Sequence, residues 1–219
     1  MLQRVLEPEV MDSAAEAHDY DAMDHSQVNQ LFVADLLQVR SDFQTVLDVG
    51  AGTAQIPIAL CQNHPTVRVV AIDMAQHMLR VGQTNVQRAG LAERVRLQLG
   101  DAKRMPFTDA TFDGVMSNSI AHHIPEPFTV FKEMTRVVKA GGFLFVRDLL
   151  RPIDAAALQG FVQKYAADAN AHQQQMFANS LHAALTLDEV RGLVTRLGFA
   201  LATVHQTSDR HWTWVAAKT

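Results

Sequence analysis

The stretch Leu47-Asp48-Val49-Gly50-Ala51-Gly52-Thr53-Ala54 decides the fold. It completes a short, branched apolar run, Thr45–Val49, and opens a helical pattern over Ala54–Gln62. Gly50 and Gly52 let the backbone turn sharply between the two and come close to a ligand. A strand, a glycine turn and a helix in that order begin an open α/β sheet, in which ligands bind outside the carboxyl ends of the strands. Asp73 follows the next strand-like run, Val67–Ile72, and lies 21 residues past Gly52. An acid at that place can accept hydrogen bonds from two ribose hydroxyls.

The same residues separate two ligand classes. A dinucleotide-binding loop wants a third glycine at position 55, and this chain has Gln55. Asp48, two residues before the first glycine, would repel a pyrophosphate. A carboxylate there suits a ligand with a cationic group. S-adenosylmethionine (SAM), with its ammonium and sulfonium and no phosphate, fits better than NAD, and an NAD-dependent oxidoreductase is disfavoured.

Working outward, strand-like and helix-like stretches alternate. Helical spacing is expected over Val28–Val39 and Ala75–Ala89, with Gly90 as a C-cap. Val95–Leu99 and Phe112–Ser117 read as the third and fourth strands. A helix over Pro127–Val138 is expected to end at Ala140-Gly141-Gly142, before a fifth strand at Phe143–Val146. Two helical segments follow, Ala155–Ala169 and Ala171–Leu185. Thr186-Leu187-Asp188-Glu189 has capping-box spacing and starts a helix that Gly198 stops. Phe199–His205 and His211–Ala217, joined by the polar Gln206–Arg210, read as a hairpin. The expected fold is α/β: a doubly wound, Rossmann-like seven-stranded sheet with an antiparallel last strand and helices on both faces.

Composition narrows the rest. At 219 residues, with 48% hydrophobic and 19% charged residues, the chain is expected to form one globular domain. Within it, 1–42 is expected to be an N-terminal helical lid and 43–150 the ligand-binding core. A helical cap at 151–185 and a C-terminal helix and hairpin at 186–219 complete the division. No apolar run approaches the roughly 20 residues of a membrane span, and the acidic start does not resemble a signal peptide. The single cysteine, Cys61, excludes an internal disulfide and fits a reducing cytoplasm. Residues 1–24 carry a charge of −6, which leaves +2 for the remainder. That near-neutral body lacks the clustered Lys and Arg that nucleic acid requires.

On these residues the chain resembles the class I SAM-dependent methyltransferases of small-molecule type, the broad group of quinone-biosynthesis and glycine N-methyltransferase-like enzymes. The resemblance covers roughly residues 43–150, and the strand order extends it to the C-terminus. The family's acid-x-G-x-G-x-G motif matches Asp48, Gly50 and Gly52, with Ala54 in place of the third glycine. It implies that Asp73 holds the ribose, that Met74 packs on adenine, and that Asp101 and the backbone of Ala102 meet the adenine edge. It places Asn118 beside the methionine moiety and Tyr20, in an N-terminal helix, near the SAM carboxylate. Asp73 and Asp101 also suit plain helix N-caps, Met74 a core position and Asp48 a turn.

Methyl transfer from SAM is an in-line displacement with a good leaving group, so alignment and exclusion of water carry most of the catalysis. A base is needed only where the acceptor must lose a proton. His122 and His123, in Ser117–Pro127, are the expected pocket-lining pair, with a base role open to one of them. No metal is expected, because neighbouring side chains diverge on a helical turn and no third ligand appears at helical spacing. Arg147 and Arg151, at the end of the fifth strand, suit a carboxylate or phosphate on the acceptor; a structural Arg–Asp pair with Asp148 is the other reading. Trp212 and Trp214 share a face, and core packing is favoured over ligand stacking. The expected function is methylation of a small molecule. A SAM-binding or partner-binding protein without turnover is the alternative.

Overall fold

A computed structural model describes residues 2–7, 10 and 12–219. Two helices come first, α1 (Ala14–Ala22) and α2 (Ser26–Val39), followed by β1 (Thr45–Val49) and α3 (Gln55–Asn63). Next are β2 (Arg68–Asp73), α4 (Gln76–Arg88), β3 (Val95–Leu99) and β4 (Phe112–Asn118). A 3-10 turn at Ala121–His123 leads to α5 (Pro127–Val137) and β5 (Val138–Leu149). The chain ends with α6 (Ala155–Tyr165), α7 (Ala171–Ala183), α8 (Leu187–Arg196), β6 (Val204–Gln206) and β7 (His211–Ala217).

The strands form one mixed sheet in the order β3-β2-β1-β4-β5-β7-β6. β1 pairs in parallel with β2 and β4, β2 pairs in parallel with β3, and β6 runs antiparallel to β7. The order reverses at β1, so the crevice outside the carboxyl ends of β1 and β4 is the switch point at which such sheets bind ligands. The seven-stranded α/β expectation and its terminal antiparallel pair hold.

Contacts divide the chain into two compact units. The larger comprises Val10–Asn118, Lys132–Val146 and Val215–Thr219. Its core gathers Phe32, Val46, Leu60, Ala71, Met116 and Phe145 among its fully buried side chains. In it α2 packs on α3, and α4 packs on both α1 and β3. Gly114 is required here, because a Cβ would lie 2.1 Å from the Phe143 ring. The smaller unit comprises the described residues of Met1–Glu9, Ser119–Phe131 and Arg147–Trp214. Leu149, Leu158, Val162, Leu181 and Ala184 form one of its clusters. Both tryptophans are fully buried, Trp214 against Phe131 and Phe199, as core packing requires.

Three boundaries differ from expectation. The strand read over Phe199–His205 shrinks to Val204–Gln206, because Phe199 N–H returns to Val194 O and Leu201–Thr203 makes a 3-10 turn. β5 begins at Val138 rather than Phe143. Gly141 N–H donates to Lys218 O and Lys218 N–H to Gly142 O, so the glycine pair joins the ladder instead of marking a helix end. The expected helix over Ala155–Ala169 stops at Tyr165. In the region expected as a helical lid, 2–7 are not helical.

Candidate functional site

In the larger unit the glycine loop folds back over the end of β2. Gly50 N–H and Ala51 N–H both donate to Ile72 O, at 2.9 and 3.0 Å. Gly50 and Gly52 have φ of 80° and 52°, and Ala54 has φ 64°. The Ala54 position therefore wants glycine for its left-handed backbone as well as for packing, so the substitution costs strain that close packing does not capture. Gly82, inside α4, was not singled out from the sequence. A Cβ there would meet Thr53 C at 3.2 Å and Ala54 Cβ at 3.3 Å, so this glycine lets α4 press against the loop.

Asp73 ties the loop to the start of α4. Its Oδ2 accepts from Gly52 N–H at 2.7 Å and its Oδ1 from Ala75 N–H at 2.8 Å. Each carboxylate oxygen has a second lone pair for a ligand hydroxyl. The helix-start role and a ribose role are thus compatible. Burial raises the Asp73 pKa against the pull of those N–H groups. Asp48 is 2% exposed, and burial, followed by the Asp73 charge, pushes its pKa up to about 8. Two acids at the strand ends, one buried and one half-buried, with no Lys or Arg among the main influences on either, fit a ligand that brings a cation and hydroxyls.

Met74 and Leu99, at the carboxyl ends of β2 and β3, are 46% and 57% exposed. Asp73 and Leu99 are register partners, so these two apolar side chains belong to adjacent strand ends. That leaves Met74 out of the core and open to a flat apolar ligand. Asp101 closes its own turn, accepting from Lys103 N–H at 2.8 Å and pairing with Lys103 Nζ at 3.2 Å, and Ala102 lies within that turn. Asn118 is the last residue of β4, next to Ser117, whose hydroxyl donates to Val49 O at 2.7 Å. Tyr20 lies over the loop, its Cε1 3.8 Å from where a Gly52 Cβ would stand. Burial and the charges of Asp73, Asp48 and Asp21 raise the Tyr20 pKa. Next to it, Asp21 accepts from Gln55 and Asn85 side chains, and Asn85 also donates to Thr53 O. Gln55, where a dinucleotide loop would have glycine, anchors α1 to α3.

In the smaller unit the 3-10 turn brings the histidines together rather than apart. Their ring centroids are 4.1 Å apart, so the expectation that neighbouring side chains diverge does not hold on this turn. Asp148, in β5, organises it. Its Oδ2 accepts from Ala121 N–H at 2.5 Å and His122 N–H at 3.3 Å, and its Oδ1 lies 2.6 Å from His122 Nδ1. Burial would raise the Asp148 pKa, but the His122 charge, the hydrogen bond with the His122 side chain and that from Leu149 N–H hold it below the usual carboxylate value. Burial likewise opposes the His122 proton, yet Asp148 and Glu7 raise the imidazole pKa.

The N-terminal segment reaches the same turn. Arg4 donates to the carbonyls of Ala183, His122, Ile124 and Pro125. Three residues on, Glu7 Oε1 lies 3.2 Å from His123 Nδ1 and 3.5 Å from His122 Nε2, and accepts from Ser180 Oγ at 3.1 Å. Arg147 Nε donates to Thr213 Oγ1 at 3.0 Å, and Arg151 Nη2 pairs with Glu189 Oε1 at 2.5 Å. Both arginines are 8% exposed. Arg151 Nε and Nη1 are buried without a hydrogen-bond partner among the described residues. Asp148 is engaged by the histidine turn. Sequence reasoning missed Glu7 and Arg4 altogether. The position of Asp148 at the carboxyl end of a central strand could have marked it.

The chain is similar to known proteins in sequence and in fold. Residues 47–146 match the family described as methyltransferase domain. The chain is 40% identical over 120 residues to demethylmenaquinone methyltransferase of Bacillus cytotoxicus, a match covering 54% of this chain and 48% of that protein. It is 33% identical over 141 residues to the biotin biosynthesis bifunctional protein BioHC of Teredinibacter turnerae, covering 61% of this chain and 25% of that protein. The chain thus spans half or less of the length of these relatives. A SAM-dependent methyltransferase from Aquifex aeolicus shares the fold, with a TM-score of 0.71 and 18% identity over 95% of this chain and 100% of that one. Residues 47–146 thus match the methyltransferase domain family, and the seven-stranded sheet has the fold of that Aquifex aeolicus protein.

Proposed function

We propose that this chain is an enzyme that transfers a methyl group from SAM to a small-molecule acceptor. The observation that carries the reading is the pair of acids, buried Asp48 and half-buried Asp73, at the ends of β1 and β2 around the glycine loop. Asp48 receives the ammonium, Asp73 the ribose hydroxyls, and Met74 one face of adenine. Asp101 and the Ala102 N–H take the adenine edge, while Gly50, Gly52 and Asn118 bring backbone close to the methionine part. Tyr20 meets the carboxylate.

Bound SAM supplies the methyl group and a sulfonium leaving group; the chain supplies position and dryness. His122 and His123 line the acceptor side. His122 is not assigned as base, because Asp148 binds its Nδ1 and the imidazole keeps its proton more tightly than free histidine. Arg151, with two buried nitrogens, Nε and Nη1, left to donate, is the stronger candidate for an acceptor carboxylate or phosphate; Arg147 is the second. The chain's small positive balance beyond residue 24 supports a small molecule over nucleic acid. No described helix is long and apolar enough to cross a membrane. The free, buried Cys61 supports a cytoplasmic location.

The test is to titrate SAM and then follow S-adenosylhomocysteine release against fractionated metabolite pools. Acceptor-dependent release is expected. Tight SAM binding without release from any pool would favour a binding protein, and no SAM binding would refute the proposal.

A further inference from the structure

Glu7, His122 and His123 place one donor atom each within 4.8 Å of one another, from a segment 115 residues before the histidine turn and from the turn itself. No spacing in the sequence connects them. In a tetrahedral site with bonds of about 2.0–2.1 Å, neighbouring donor atoms are about 3.3 Å apart. Glu7 Oε1 stands 3.2 Å from His123 Nδ1 and 3.5 Å from His122 Nε2, which matches two edges of such a site.

The surroundings match a metal site as well as the donors do. A ligating histidine normally gives its other ring N–H to a carboxylate, which fixes the tautomer and strengthens the ligand. His122 Nδ1 lies 2.6 Å from Asp148 Oδ1, which turns Nε2 toward Glu7. Ser180 Oγ donates to the Glu7 carboxylate and holds it in place. Arg4 anchors the segment through four carbonyls, fixing Glu7 three residues later. With two neutral imidazoles, the two carboxylates of Glu7 and Asp148 balance a dication.

We infer that Glu7, His122 and His123 form a mononuclear site for a Zn2+-class transition-metal dication, in which Asp148 orients His122. Two nitrogens and one carboxylate oxygen are a borderline donor set that suits zinc or cobalt rather than calcium or magnesium. Three protein ligands leave a fourth position for water or a hydroxyl-bearing small molecule. The metal also clips the N-terminal segment to the turn.

The experiment uses the full chain, stripped with EDTA and dialysed, with Co2+ and Zn2+ as probes. Co2+ is expected to give the visible d–d bands of a four-coordinate nitrogen–oxygen site, saturating at one ion per chain. Zn2+ is expected to displace it. Glu7→Gln and His123→Gln, at partly exposed positions, are each expected to weaken binding tenfold or more while the circular dichroism stays unchanged. Zn2+ is also expected to raise the Tm of the wild type and not that of the Glu7→Gln protein. The absence of saturable Co2+ binding by the wild type overturns the site. Binding of equal strength in both variants also overturns it, by assigning the ion to other histidines.

Discussion

His122 Nδ1 and Asp148 Oδ1 lie 2.6 Å apart, both nearly fully buried, at the point where the 3-10 turn meets β5. Asp148 also accepts from the N–H groups of Ala121, His122 and Leu149, so one carboxylate closes the turn through four donors. Asp148→Ala is expected to destabilise the protein by about 3–5 kcal/mol, since it strands those donors and a buried imidazolium. Urea unfolding checks this. A loss under about 1 kcal/mol would mean that the turn is held by something other than this carboxylate.

Asp73 is where stability and ligand binding part. Asp73→Ala removes the acceptor for Gly52 N–H and Ala75 N–H and, on the proposed reading, the ribose contacts. SAM affinity is expected to fall by about 1–3 kcal/mol. Asp73→Asn keeps an acceptor for one of the two N–H groups and is expected to lose less. Calorimetric titration of both variants decides; unchanged SAM affinity in Asp73→Ala removes the ribose assignment.

Gly82 tests whether α4 sets the loop. A glycine inside a helix costs roughly 1 kcal/mol relative to alanine, so an exposed Gly→Ala change would stabilise. At Gly82 the added Cβ meets Leu97 Cδ1 at 3.0 Å and the Thr53 backbone at 3.2 Å. Gly82→Ala is therefore expected to destabilise by about 1–3 kcal/mol and to weaken SAM binding as the loop shifts. A raised Tm with unchanged SAM affinity would show that the loop tolerates the push.

Much of the larger unit was legible because its signals are local. Thr45–Val49 and Val95–Leu99 are bounded by turn residues and match their strands residue for residue. The glycine loop and Asp73 follow one strand spacing. What escaped depends on partners far along the chain. β6 is three residues long because only Val204, His205 and Gln206 find partners in β7. Gly141 and Gly142 look like a helix stop until Lys218 pairs with them. Glu7 carries no local pattern at all; only folding sets it beside His122 and His123. α1 did carry a local signal, the Ser13/Glu16 capping box, but buries only Ala17, which leaves almost no apolar stripe to read.

Asp48 makes the strongest pH prediction. Burial, then the Asp73 charge, raises its pKa from 3.8 to about 8 in the protein without ligand. An acid whose pKa rises on folding contributes stability that is fully present below its unfolded value, and lost as pH rises through the folded one. The ligand-free protein is thus expected to lose stability from about pH 4 to about pH 8. Asp48→Asn should flatten that slope and stabilise the ligand-free protein by on the order of 2 kcal/mol at pH 8. The SAM ammonium acts in the opposite sense, because a cation against Asp48 favours its ionised form. Binding should then release a proton, and SAM affinity should rise up to about tenfold per pH unit between pH 6 and 8. Titrations in two buffers of different ionisation enthalpy count that proton directly. Asp48→Asn should bind SAM weakly at every pH and release none. A wild-type affinity that stays flat from about pH 6 to 8, with no proton released, would take the ammonium away from Asp48.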